Sequence, residues 1–111
     1  MIEKMVLDFV KGKLDVTVYP EYPGDPPQRF VVLDKTNTTR ESCLCFSTVA
    51  AQSYAESKWE AASLNEKVKV VMESLVEDSR ITSVGLNSDY PFPDTRRKQY
   101  RYQAVYDITH Y

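Results

Sequence analysis

The chain has few of the residues on which most catalytic and metal chemistry rests. Histidine occurs once, as His110. A Ser-His or Cys-His nucleophile pair is therefore available only through that side chain. So near the C-terminus, His110 is expected as a solvated or edge-strand residue rather than a base. Cysteine occurs twice, as Cys43 and Cys45. Residues at i and i+2 of a strand share a face with their Cα atoms about 6.5–7 Å apart, the strained limit for a disulfide. Free thiols in a reducing compartment are the expectation, and without a second pair the spacing does not make a zinc site. The three glycines, Gly12, Gly24 and Gly85, are scattered, which excludes a glycine-rich phosphate cradle. Asp15, Asp25, Asp89 and Asp94 stand near turn signals, where aspartate serves local hydrogen bonds. No catalytic, cofactor-binding or metal-ligating residue is expected.

Charge of one sign is missing as well. Fourteen basic and sixteen acidic residues leave a net charge of −2, too balanced for the broad basic surface that grips duplex nucleic acid. No apolar run approaches the ~20 residues of a membrane helix. The opening segment, Met1 to Leu14, carries Glu3, Lys4, Asp8 and Lys11 and so lacks a secretory apolar stretch. A cytoplasmic protein with no membrane partner is expected.

What is present describes one globular domain over 1–111. The 111 residues, 42% hydrophobic and 27% charged, are enough for a real core. Ile2, Met5, Val6, Phe9 and Val10 fall on one helical stripe, with Gly12 helping to end it. Val16–Tyr19 reads as a short strand. Pro20, Pro23, Pro26 and Pro27 then make a stiff loop over 20–28. Arg29–Lys35 reads as a strand, Asn37-Thr38-Thr39 as a turn, and Ser42–Tyr54 as a long strand. That long strand is moderately apolar on both faces: Leu44, Phe46, Thr48, Ala50, Gln52 and Tyr54 share one, and Cys43, Cys45, Ser47, Val49, Ala51 and Ser53 the other. A central strand covered on both sides is implied.

Ser57 followed by Glu60 is a capping-box pattern opening a helix over Lys58–Glu77, striped by Leu64, Val68, Val71 and Leu75. Ile81–Leu86 reads as a strand, 87–98 as a polar loop with Pro91 and Pro93, and Gln99–Thr109 as the last strand. Tyr100, Tyr102, Ala104, Tyr106 and Ile108 lie on one of its faces. The order α-β-β-β-α-β-β with short links predicts an α+β fold: a twisted, mostly antiparallel sheet of four to five strands with two helices packed against it.

The surplus lies in tyrosine, eight against four phenylalanines. Tyrosine joins apolar area to a hydroxyl that seeks a polar partner, and it collects at protein interfaces. Tyr22, Tyr90 and Phe92 fall in loops with no evident core task. Arg96, Arg97 and Lys98, with Arg101 beyond them, form the densest positive cluster, suited to an acidic partner surface. The candidate contact set is Tyr22, Tyr90, Phe92, Arg96, Arg97, Lys98 and Tyr100.

Several segments together resemble the tail-completion, or tail-terminator, proteins of long-tailed bacteriophages. They are the opening helix, Val18-Tyr19-Pro20 before the proline loop and Phe30-Val31-Val32. Gln52-Ser53-Tyr54-Ala55 before Glu60-Ala61-Ala62 is a further stretch. Leu86-Asn87-Ser88-Asp89-Tyr90 and the closing Lys98-Gln99-Tyr100-Arg101-Tyr102-Gln103-Ala104-Val105-Tyr106-Asp107-Ile108 complete the set. The likeness spans nearly the whole chain, although Cys43 and Cys45 belong to no pattern of that family. It implies a structural virion protein without cofactor or bond-making chemistry. Copies would form a hexameric ring that caps the tail tube, ends tube polymerisation and docks the head connector. DNA would pass through as cargo. The partners implied are other copies of the chain, the tail-tube protein and the head-tail connector, and the location is the host cytoplasm during assembly and then the virion. Another neck or head-tail adaptor component, and an unrelated small binding module or minimal enzyme, are the alternatives.

Overall fold

The computed structural model describes residues 2–111. Helix α1 spans Ile2–Lys11 and buries Val6 and Val10, the centre of its apolar stripe. Strand β1 is Thr17–Tyr19, β2 is Phe30–Glu41 and β3 is Leu44–Ala55. Helix α2 runs over Lys58–Glu73, and its last turn tightens into a 3-10 turn at Ser74–Glu77. Strands β4 and β5 are Ile81–Pro91 and Tyr100–His110. The five strands form one sheet in the order β1-β2-β3-β5-β4. Only β1 and β2 are parallel; the other neighbours are antiparallel. The fold is α+β, as the pattern of elements predicted.

Two strands run further than the sequence suggests. Asn37-Thr38-Thr39 does not turn. Strand β2 continues through a bulge between Lys35 and Asn37 to Glu41, and the reversal comes at Ser42 and Cys43, with Ser42 at φ 57°. The threonines explain this, because β-branched side chains favour extended backbone. Thr38 and Ser47 also share a cross-strand hydroxyl hydrogen bond of 3.0 Å. Consequently β3 begins at Leu44 rather than Ser42. Likewise, residues 87–91 belong to β4 rather than to a loop, so the second long loop shrinks to a short connection after Pro91. Strand β4 lies at the sheet edge, where polar side chains and a proline are tolerated.

The two faces of the sheet are covered unequally. Both helices pack on the face carrying Val31, Leu33, Val49, Ala51, Ala104, Tyr106 and Ile108, and the main core fills that space. The opposite face carries a smaller cluster, Phe30, Val32 and Tyr54, roofed by Tyr19 at the end of β1 and by Tyr22 of the proline loop. Toward the β2–β3 turn this face is bare, and Phe46 is 40% exposed. The central strand is thus covered on both sides at one end only, a correction to full coverage. One short loop cannot span a 12-residue strand.

Candidate assembly surface

The bare face ends in an aromatic and cationic cluster. Phe30 and Tyr54, opposite each other across β2 and β3, stack with ring centroids 4.5 Å apart. Tyr22 meets both rings edge-on at 5.7 and 5.5 Å, and its hydroxyl donates to Gln99 Oε1 at 2.8 Å. The Arg97 guanidinium lies 3.9 Å from the Tyr22 ring centroid, a cation–π contact. Arg101 sits 4.2 Å from the Phe92 ring. It donates to the Tyr54 hydroxyl at 2.8 Å and to the Phe92 carbonyl at 2.6 Å.

Asp94 ties these cations down. Its buried carboxylate accepts from the Arg97 backbone N–H at 3.1 Å and from Arg97 Nη1 at 2.9 Å, with Arg101 Nη1 at 3.8 Å. Burial alone would raise the Asp94 pKa; the hydrogen bonds from Arg97 and the charges of both arginines overturn that and hold it below the ordinary carboxylate value. Burial raises the Tyr54 hydroxyl pKa, against the opposing pull of Arg101.

This geometry divides the candidate contact residues. Tyr22 and Arg97 are held by one another and by Asp94, so the expectation that Tyr22 has no packing role is corrected: it roofs a second small core. Tyr90 and Phe92 pack on each other at 5.9 Å and remain 38% and 40% exposed. Tyr90 sits on β4, and its hydroxyl accepts from Gln103, which in turn accepts from Gln52. Thr48 and Asn87 both donate to Asp107, so a second polar row crosses the same face. Arg96, Lys98 and Tyr100 point to solvent. Lys98 adopts a left-handed φ of 54°.

On the helix-bearing side, the same end of the sheet holds a groove of about 290 Å³ lined by Lys58, Pro91, Pro93, Tyr100, Arg101 and Tyr102. Beside Lys58 stands Trp59, 80% exposed. Neither Trp59 nor the groove was foreseen. The available signal was that Trp59 falls off the Ala61, Leu64 and Val68 stripe, so nothing inside the molecule claims it.

The remaining singled-out residues have structural surroundings. His110 is buried, a correction to a solvated position, because β5 lies between β3 and β4 and pairs His110 with Cys45 on one side and Ile81 on the other. Its Nε2 lies 2.8 Å from the Ser47 hydroxyl. Cys43 is exposed, Cys45 half-buried, and both are free thiols. Tyr106 reaches the main core, where its hydroxyl donates to Glu73 at 3.1 Å and burial drives its pKa far up. Among the described residues no helix is long and apolar enough to cross a membrane. What the arrangement offers is a surface of aromatic, amide and cationic groups on an α+β frame. No protein-family model matches the chain, and no curated protein matches it.

Proposed function

We propose that the protein is a structural ring protomer of a long-tailed phage particle, a tail terminator. Its copies close into a hexameric ring that caps the tail tube, stops tube growth and gives the head connector a surface to dock on. DNA crosses the opening as cargo and is not read. The resemblance of its segments to that family supports this reading. So does the way the surface is built.

The observation that carries most weight is the bare half of the sheet together with the long edge strand beside it. From Phe46 across Gln103 to Tyr90 and along β4, side chains and strand edge are presented without cover. A lone protomer has no use for such a surface, whereas a protomer that meets copies of itself and a larger tube does. A heterologous contact closes into a ring or runs on as a filament. A terminator needs the closed form, because an open one would extend the structure it must end.

The deciding experiment is electron microscopy of particles assembled without this chain. Overlong or headless tails are expected. Normal, infectious particles overturn the reading.

A further inference from the structure

Four of the charged side chains that make no ion pair among the described residues stand beside proline-rich surface. Glu21 and Asp25 in the proline loop are exposed, and among the described residues neither makes an ion pair. Lys58 and Lys98 are exposed and equally free of ion pairs among the described residues. Both lysines border one trough made of two adjoining grooves. Lys58 lines the groove of about 290 Å³ described above, and Lys98 lines an adjoining one of about 370 Å³. The two share Pro93 and Tyr100.

Prolines and tyrosines flanked by cations form the kind of wall on which an extended, proline-rich, acidic segment docks. The chain carries such a segment itself, Glu21-Tyr22-Pro23-Gly24-Asp25-Pro26-Pro27. Tyr22 pins it from beneath, while Glu21, Gly24, Asp25 and Pro27 face outward. Its prolines have already lost most of their freedom, so docking orders little more.

Within one protomer neither Glu21 nor Asp25 pairs with Lys58 or Lys98, although Tyr22 reaches Gln99 at the margin of the trough. Tyr22 fastens it to the face of Phe30 and Tyr54. The groove walls Pro91, Tyr100 and Tyr102 belong to the opposite, helix-bearing face, as their register with Ser53 and Ala55 requires. We infer that the occupant is a second copy: the acidic proline loop of one protomer docks in the Lys58–Lys98 trough of the next. The contact is heterologous, as a ring demands. The inference deepens the ring reading and rests on it.

A charge-swap experiment tests it on the whole protein. Sedimentation is followed up to about 1 mM, the weak end of measurable affinity, for the natural chain, for K58E/K98E and for E21K/D25K. Circular dichroism confirms that each variant is folded. The natural chain is expected to associate, more weakly as salt screens the exposed charges. Each variant alone is expected to associate about tenfold less tightly or worse, since two attractions become repulsions. Mixing the two variants restores opposite charge at every loop and trough, and association returns. If the natural chain associates and neither variant changes it, the trough is not the contact and the ring reading survives. If the natural chain stays monomeric throughout, this contact is overturned, and the particle experiment judges the capping role separately.

Discussion

Asp94 is the side chain on which the tip between β4 and β5 depends. It is 6% exposed and faces two arginines, and its carboxylate is the acceptor that holds Arg97 over the Tyr22 ring. Asp94→Asn keeps the shape and removes the charge. We expect a loss of about 1–3 kcal/mol at neutral pH, the range for charge-assisted bonds to a buried group, measured by urea unfolding. The pH dependence follows from the lowered pKa. The unfolded chain takes up the proton first as pH falls, so the contribution is complete above the ordinary carboxylate range. It fades as acid passes through the folded value. The gap between natural and Asn variants must therefore shrink below about pH 4; a gap that stays constant with pH refutes the electrostatic account. Lys98 makes the opposite case. Its left-handed backbone suits glycine. Lys98→Gly should raise stability by about 1 kcal/mol, read from the thermal midpoint, while weakening self-association through the lost cation. A variant less stable than the natural chain would show that the lysine side chain contributes more to folding than its backbone strain costs.

Element by element, the sequence was legible wherever a pattern was local. The stripe of α1 and the Ser57 start of α2 are where periodicity and capping place them, with Glu60 N–H donating to Ser57 Oγ at 3.2 Å. The reciprocal half of the box is absent because the Glu60 carboxylate pairs with Arg29 at 3.2 Å instead, a contact between distant segments that no local pattern reveals. The extra lengths of β2 and β4 were hidden for the same kind of reason. Thr38 pairs with Ser47 and Asp89 with Ala104, and such partners turn polar residues into strand where local composition reads as loop. Candidate contact residues were legible by type but not by direction: Tyr22 packs on the second small core with the exposed Arg97 over its ring, and Trp59 stood outside every motif. Asp89 shows how much a single edge-strand residue carries. It accepts from the buried Asn65 at 2.7 Å and from Lys69 at 2.6 Å, fastening β4 to α2. Hydrogen bonds donated by Lys69 to Asp89 and Glu66 raise its pKa accordingly. Asn65 Oδ1 has no partner of its own, so Asp89→Ala would leave the whole amide unpaired. We expect a loss of about 1–3 kcal/mol and faster hydrogen exchange along β4 than along β5. Equal exchange in both strands would show that the sheet, and not α2, holds the edge.

At the scale of the whole molecule, length follows from the strands. Twelve residues at about 3.3 Å each give roughly 40 Å, and the body measures 43 × 25 × 23 Å. Both hydrophobic clusters hang on the same strands. Val31 and Leu33 point to the helices, while Phe30 and Val32, their sequence neighbours, point to the aromatic cluster. Neither cluster can be lost while the other keeps β2 in register, because a strand carries both of its faces together. The chain should therefore unfold in one step despite having two cores of unequal size. Near-ultraviolet circular dichroism reads the packed tyrosines, of which Tyr19, Tyr22 and Tyr54 belong to the smaller cluster and Tyr106 to the main core, and far-ultraviolet ellipticity reads the helices on the opposite face. The two are expected to give one urea midpoint. Phe30→Ala, which empties the centre of the smaller cluster, should move both midpoints together, at a loss of about 3–5 kcal/mol. If the tyrosine signal disappeared at lower urea while the helices persisted, the proline loop would be a separately melting roof. It would then not be the rigid platform that docking into a neighbour requires.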